Sequence, residues 1–251
     1  MLTTVEGIVI GSRIIGDNNC FIDILTDEYG VIEATAHGAK KLTGKNSAAC
    51  SLFAYSKFCL AKKGTRYTVN SAEPKLSFHG ISTDIEYLAL AAYFSEVIKD
   101  TVASEQPAPG FLRFMAITLY ELDKKRIPIE RIKAVFELRT ASMLGFTPDL
   151  RACRYCICYE SEQMYLDYRD GSVFCGDCAS ENDDISPDIA ELSPKMLYMM
   201  RYIVYSPLDR IYRSCPDGLD IRYLGEITEK YLLNHLDRGF GRLDYYKRVK
   251  L

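Results

Sequence analysis

The feature that most constrains this chain is a pair of Cys-x-x-Cys motifs, Cys153 with Cys156 and Cys175 with Cys178, separated by eighteen residues. Two thiolates three positions apart can bind one edge of a tetrahedral metal ion, and a second pair can close the opposite edge. Four thiolate ligands leave no coordination position for a substrate, so the spacing predicts a structural zinc site with one ion. The residues between the pairs favour a short hairpin, as in a zinc ribbon.

Other interpretations of the cysteines remain open. The pairs also fit two reducible disulfides or plain buried thiols, although an odd total of nine cysteines without an export signal argues against a disulfide framework. Cys158 competes with Cys156 as a ligand, and we favour Cys156 because its spacing mirrors that of the second pair. The scattered cysteines are interpreted as small buried hydrophobic residues; they are Cys20, Cys50, Cys59 and Cys215.

The first part of the chain has the pattern of a small β-barrel. Runs rich in Val, Ile and aromatic residues alternate with turn-forming Gly, Asp and Asn, which predicts short strands. The predicted strands are 4–15, 20–25, 31–36, 52–61 and 66–71. Five strands in under eighty residues favour an OB-fold, and an SH3-like barrel fits the pattern almost as well.

From residue 83 the apolar period becomes helical. Ser82 or Thr83 can cap a first helix, with Glu86 in capping-box position. Further helices are predicted at 110–125, from Pro128 to about 143, from Ser193 onwards and at 226–236. We therefore expect an α+β protein: a five-stranded OB-fold nucleic-acid-binding domain at 1–78, then an α-helical domain at 79–251 with an inserted zinc-ribbon-like module at about 150–180.

Charge is distributed unevenly along the sequence. The net charge is only −3, but residues 37–75 carry eight cations against one carboxylate, for a net +7, whereas residues 153–193 are strongly acidic. The distribution matters more for nucleic-acid binding than the sum. We interpret the acidic run at 181–191 as a solvated linker.

Aromatic and cationic side chains interleave in the basic region, as single-strand binding on an OB surface requires. The basic run also fits an ordinary solvated loop, and the aromatic residues also fit a core. The predicted nucleic-acid-binding residues are Lys40, Lys41, Lys45, Tyr55, Lys57, Lys62, Lys63 and Arg66.

No catalytic set is evident in the sequence. None of the three histidines stands beside a nucleophile in an elbow motif, and no phosphate-cradling Gly-x-x-x-x-Gly-Lys-Ser/Thr occurs. We therefore expect a protein that is not an enzyme. There is no apolar run long enough for a bilayer and no basic n-region of a signal peptide, so we expect a cytoplasmic protein without a membrane partner.

Residues 144–156, Leu-Gly-Phe-Thr-Pro-Asp-Leu-Arg-Ala-Cys-Arg-Tyr-Cys, resemble the RecO family of bacterial DNA repair and recombination mediators. The resemblance extends to the opening Glu-Gly-Ile-Val-Ile at 6–10, the turn at 26–30 and the His-Gly-Ala-Lys-Lys segment at 37–41. The lead into the cysteines is the specific motif, since the strand motifs alone are weak.

The resemblance implies an OB-fold, a helical domain and a zinc module in a nucleoid-associated protein. It implies binding of single- and double-stranded DNA, strand annealing and, with RecR, loading of recombinase onto DNA coated by single-stranded-DNA-binding protein (SSB). From the family's DNA-binding surface it transfers Lys40, Lys41, Lys45, Lys57 and Arg66. It also implies that the acidic C-terminal tail of SSB docks in a basic, apolar pocket of the helical domain. The alternative is a protein-interaction scaffold that does not bind DNA and has a structural zinc module.

Overall fold

The computed structural model describes residues 2–39, 44, 46–182 and 185–250. The chain forms two compact units, one of Met1–Arg126 with Phe240–Leu251 and one of Ile127–Gly239. The sequence predicts a domain boundary at residue 78, which is a different division of the chain from these two units. That boundary stays a prediction.

The first unit contains a closed five-stranded barrel. Its strands are Leu2–Ile15 (β1), Asn19–Thr26 (β2), Gly30–Ala36 (β3), Tyr55–Lys63 (β4) and Arg66–Leu76 (β5). They follow the order β1-β2-β3-β5-β4, with β1 also pairing with β4 to close the barrel. Only β3 and β5 pair in parallel among these strands. This closure, in the order of an OB-fold, confirms the predicted barrel.

The barrel interior is filled by the alternate residues of each strand, because successive side chains of a strand point to opposite faces. Phe58 and Leu60 of β4 meet Ile22 and Ile24 of β2 within one buried cluster. Cys20 and Cys50 belong to this cluster, which confirms their interpretation as buried hydrophobic residues.

The predicted strand at 52–61 begins three residues later than expected. Phe53 has a left-handed backbone with φ 65° and is buried, and its N–H donates to the carbonyl of Val9 at 2.7 Å. A left-handed residue cannot continue a strand, so β4 starts at Tyr55. Leu52, the first residue of the predicted strand, is 42% exposed.

The helices differ from the predictions at their ends. They are Ile85–Thr101 (α1), Phe111–Lys124 (α2), Ile129–Met143 (α3), Gly176–Glu181 (α4), Pro194–Tyr205 (α5), Ile221–Leu236 (α6) and Gly241–Val249 (α7). The cap of α1 is Asp84, whose carboxylate accepts from the Glu86 N–H at 3.0 Å, rather than Ser82 or Thr83. Helix α6 begins five residues before the prediction, and α7, which was not predicted, packs on α1.

The second unit is built around α3, which packs against α5 and α6. Its sheet contains Met164–Asp167 (β6), Val173–Cys175 (β7) and Ile189–Leu192 (β8) in the order β7-β6-β8. Strand β8 overlaps the end of the acidic run 181–191 that was interpreted as a solvated linker, and that interpretation is wrong for residues 189–191. The buried Ala190 and Leu192 alternate with the exposed Glu191, which is the pattern of a strand with one covered face.

Gly30 and Gly16 form a matched pair for testing the barrel, because both have left-handed backbones near φ 60°. A Cβ at Gly30 would lie 2.1 Å from the carbonyl oxygen of Ala103, whereas a Cβ at Gly16 would meet nothing within 4 Å. We expect Gly16→Ala to lower the free energy of unfolding by about 1 kcal/mol and Gly30→Ala by about 2–4 kcal/mol. Urea unfolding followed by circular dichroism measures both. Equal losses would show that the contact with Ala103 is unimportant.

Candidate metal centre and nucleic-acid interface

The two predicted cysteine pairs meet at one point of the second unit. The hairpin of β6 and β7 ends at Cys175, Cys178 follows in α4, and Cys153 and Cys156 lie in the preceding loop. The four Sγ atoms all lie within 4.8 Å of one another, and those of Cys156 and Cys175 are 3.7 Å apart. A tetrahedral zinc ion with bonds of about 2.3 Å separates its sulfur ligands by about 3.8 Å. These four thiols can hold a metal ion.

The electrostatics of the four thiols also fit a cation. Burial opposes the ionisation of Cys153, but backbone N–H groups, those of Cys156 and Cys175 first, outweigh it and lower the pKa of this thiol to about 6. Burial, followed by the neighbouring thiols, raises the pKa of Cys178. A thiolate at one cysteine therefore makes ionisation of the next thiol less favourable. A divalent cation offsets this repulsion, because it binds the deprotonated thiols and their protons are released.

The structure places Cys156 in the four-thiol cluster and leaves Cys158 outside it. The residue between them, Ile157, has φ 63°, and its N–H donates to the carbonyl of Cys153 at 2.9 Å. This tight turn lies between the two cysteines. Burial and the thiols of Cys156 and Cys175 raise the pKa of Cys158 to about 12.

A groove of about 660 Å³ crosses the outside of the barrel. This barrel groove lies where β1, β2 and β3 approach β5, and OB-folds bind oligonucleotides on the face of strands 2 and 3 and at the β4–β5 loop. The guanidinium of Arg13 lies 5.1 Å from the ring centre of Phe21, and the ammonium of Lys62 lies 4.8 Å from that of Tyr67. The groove is lined by, among others, Arg13, Phe21, Glu33, Arg66, Tyr67 and Glu105.

Only part of the predicted nucleic-acid-binding set surrounds this groove. Arg66 lines it, Lys63 pairs with Arg66 across the β4–β5 hairpin, and Lys62 stands over Tyr67. The predicted Lys40, Lys41 and Lys45 lie outside the described residues.

Tyr55 and Lys57 lie on another part of the barrel. The Tyr55 hydroxyl donates to Glu6 at 2.5 Å, and Lys57 stands opposite Glu6 on β1 and Glu73 on β5. Burial and this hydrogen bond raise the pKa of Tyr55 to about 12. The hydroxyl of Tyr55 is thus engaged with Glu6, and the nucleic-acid-binding roles of Tyr55 and Lys57 stay predictions.

The sequence predictions missed Arg13 and Phe21. These two residues are register partners across the β1–β2 hairpin, whose turn joins Ile15 to Asn19. The turn was recognised in the sequence, and counting back from it places Arg13 opposite Phe21. The sequence therefore contained enough information to pair these two residues, in the position of the turn and the strand register that follows from it.

Carboxylates share the groove with its cations. Glu33 lies 3.4 Å from Arg13, and Glu105 lies 2.6 Å from Lys62. Glu105 also accepts a hydrogen bond from the Tyr67 hydroxyl at 3.2 Å. The hydrogen bond from Lys62 holds the pKa of Glu105 below its ordinary value, against a smaller effect of desolvation. The groove is thus a set of ion pairs rather than a bare positive surface.

Comparison with known protein families agrees with the barrel, the helices and the cysteine cluster. Residues 1–78 match the family described as "Recombination protein O N terminal", and residues 82–244 match "Recombination protein O C terminal". The chain belongs to the RecO family. The resemblance found in the cysteine lead is therefore confirmed.

RecO-family relatives resemble the chain over most of its length. The DNA repair protein RecO of Acetivibrio thermocellus is 31% identical over 97% of this chain and 96% of the relative. The corresponding protein of Alkaliphilus metalliredigens is 28% identical over 99% and 100%, and that of Bacillus subtilis is 28% identical over 84% and 80%. Within the part of the chain that the structure describes, no helix has the length and apolar character needed to cross a membrane.

The choice between Cys156 and Cys158 can be tested directly. We expect Cys156→Ser to weaken zinc binding by at least about a hundredfold, because loss of a ligand exceeds the 10–100-fold cost of an outer contact. Cys158→Ser should leave the affinity unchanged. A chelator competition titration measures both, with circular dichroism to confirm folding. Weakening by Cys158→Ser alone would assign the ligand to Cys158.

Proposed function

We propose that this RecO-family chain is a non-catalytic DNA repair and recombination protein that binds single- and double-stranded DNA and anneals complementary strands. With RecR, it helps to load recombinase onto single-stranded DNA coated by SSB. The barrel groove, where cations alternate with aromatic rings on an OB-like barrel, carries the DNA-binding part of this proposal. Membership of the family supports the part that concerns partners.

The chemistry of the groove suits a single strand. The half-buried ring of Phe21 lies beside Arg13, and base stacking on an aromatic ring contributes about 1–3 kcal/mol per base. The exposed Lys63 and Arg66 sit at the hairpin, where they can neutralise phosphates. Contacts to base faces and phosphates leave the Watson–Crick edges accessible, as annealing requires.

For the four-thiol cluster we propose one structural zinc ion held by Cys153, Cys156, Cys175 and Cys178. Four thiolates are the ligand set of closed structural zinc sites. The ion would fix the hairpin of β6 and β7 to the loop that contains Cys153. This stabilisation suits a segment that is strongly acidic.

Charge reversal at the hairpin tests the DNA site. We expect Lys63→Glu/Arg66→Glu to weaken binding of labelled single-stranded DNA by about tenfold or more, and to reduce the slope of log affinity against log salt by about 1.4, or 0.7 per phosphate contact. Fluorescence anisotropy at several salt concentrations measures both quantities. Lys57→Glu/Lys75→Glu makes the same charge change on β4 and β5 away from the groove. Because Lys57 is itself a predicted binding residue, this variant compares the two sides of the barrel, and we expect it to lose less affinity than Lys63→Glu/Arg66→Glu.

Three other outcomes would revise the proposal. Greater loss with Lys57→Glu/Lys75→Glu would move the site to the Tyr55 side of the barrel. Loss with Lys40→Glu/Lys41→Glu would support the predicted basic loop, which lies outside the described residues. Binding to the wild type that is absent or insensitive to salt would favour the scaffold alternative.

A second groove supports the predicted docking of the SSB tail. It holds about 460 Å³ between α2 and the barrel, and Tyr120 on its edge is 40% exposed with the Lys124 ammonium 5.4 Å from its ring. An apolar floor with cations at the rim suits an acidic tail that also has apolar side chains. This helix groove is lined by, among others, Leu76, Phe78, Leu112, Arg113, Ile117 and Tyr120.

Arg113→Glu tests this docking site. We expect it to weaken binding of a fluorescent SSB-tail peptide by roughly tenfold, because one charge-assisted contact becomes a repulsion. Arg242→Glu on α7 changes the charge of the same unit by the same amount and serves as the control. Equal weakening by both variants would indicate a general charge effect and no specific site.

A further inference from the structure

Glu105 is held at the barrel groove by its own backbone. Its N–H donates to the carbonyl of Tyr29 at 2.9 Å, and the adjacent Ser104 forms a bridge with Gly30. Three residues on, the N–H of Ala108 donates to the carbonyl of Asp27 at 2.9 Å. The connection between α1 and α2 is thus tied to the β2–β3 turn, so Glu105 has a fixed position relative to the strands of the groove.

The carboxylate of Glu105 accepts hydrogen bonds from two side chains beside the barrel groove. Its Oε1 accepts from Lys62 at 2.6 Å and from the Tyr67 hydroxyl at 3.2 Å. The Lys62 ammonium also lies over the Tyr67 ring, so the three groups form one cluster. An ammonium and a phenol hydroxyl that converge on one anionic oxygen would receive a phosphate oxygen in the same way.

The backbone of Glu105 is strained. Its φ is 59°, a left-handed conformation that is unfavourable for a residue with a Cβ. Glycine would adopt it without that cost, and strain of this kind is concentrated at functional positions. The second carboxylate makes a longer and more exposed ion pair, since Glu33 lies 3.4 Å from Arg13 whereas Glu105 lies 2.6 Å from Lys62.

We propose that Glu105 is an internal competitor of DNA in the barrel groove. Its carboxylate occupies the position between Lys62 and Tyr67, and single-stranded DNA binds by replacing it with a backbone phosphate. The proposal rests on the proposed function of the groove. Glu105 thereby lowers the affinity for phosphate alone, so a ligand that also stacks bases on Phe21 is favoured over one that offers charge only.

Removing the negative charge of Glu105 tests its competition with DNA. We expect Glu105→Gln to bind labelled single-stranded DNA roughly three- to tenfold more tightly and to steepen the salt dependence by about 0.7, because Lys62 becomes available to a phosphate. Glu28→Gln removes the same charge from an exposed turn of the same unit and should change neither quantity.

The Glu105→Asp variant distinguishes direct competition at Lys62 from long-range repulsion of DNA by the carboxylate charge. Aspartate keeps the charge but is one methylene shorter, so it reaches Lys62 poorly. Under the competition, Glu105→Asp binds more tightly than the wild type, close to Glu105→Gln. If only distant repulsion acts, Glu105→Asp binds like the wild type.

The possible outcomes distinguish failure of the competition from failure of the proposed DNA-binding function of the groove. Wild-type binding that is lost in Lys63→Glu/Arg66→Glu but unchanged in both Glu105 variants overturns the competition and leaves the DNA groove intact. Tighter binding by Glu105→Gln alone, with Glu105→Asp like the wild type, also overturns it. Absence of salt-sensitive binding in every variant, wild type included, overturns the proposed function and the competition together.

Discussion

The closed barrel depends on the bend of its first strand. One half of β1 pairs with β4 and the other half with β2, and the register shifts between Val9 and Gly11 where the strand changes partner. A Cβ at Gly7 would lie 2.4 Å from the side chain of Ile24, and one at Gly11 would lie 2.3 Å from that of Asp23. Glycine at both positions lets the strand approach β2 closely enough to coil, as strand bends in barrels generally require. The groove exists because this bend brings the far end of β1 back over β2.

Local chemistry made parts of this structure predictable from the sequence. Turns with Gly, Asp and Asn separate strands reliably, and paired Cys-x-x-Cys motifs bring thiols together over a short loop. Contacts between distant residues were not predictable: the Tyr55 hydroxyl donates to Glu6, forty-nine positions away. Strand β8 and helix α7 were missed because each buries only two residues, too few for a periodic signal. The left-handed backbone of Ile157, between Cys156 and Cys158, is likewise not revealed by any pattern of residue types.

The acidic net charge of the chain is compatible with a cationic groove because the opposing charges lie close together. Arg13 and Lys62 each have a carboxylate within 3.4 Å, so the groove adds little to the field far from the protein. Under the proposed function, attraction of DNA from a distance is weak in such an arrangement, and affinity develops only at contact, where rings and cations act together.

The buried charges of α3 limit how the second unit can assemble. Lys133 lies 2.8 Å from both Glu137 of its own helix and Glu229 of α6, and the Thr228 hydroxyl donates to Glu137 at 3.0 Å. Burial is the main reason that the pKa of Glu137 is raised, despite the attraction of Lys133. A slip of α6 along α3 by one turn, about 5.4 Å, would part Lys133 from Glu229 and remove the hydroxyl from Glu137. Apolar surfaces alone would tolerate several alignments of two helices, whereas an uncovered interior charge is too costly, so these helices have a single register.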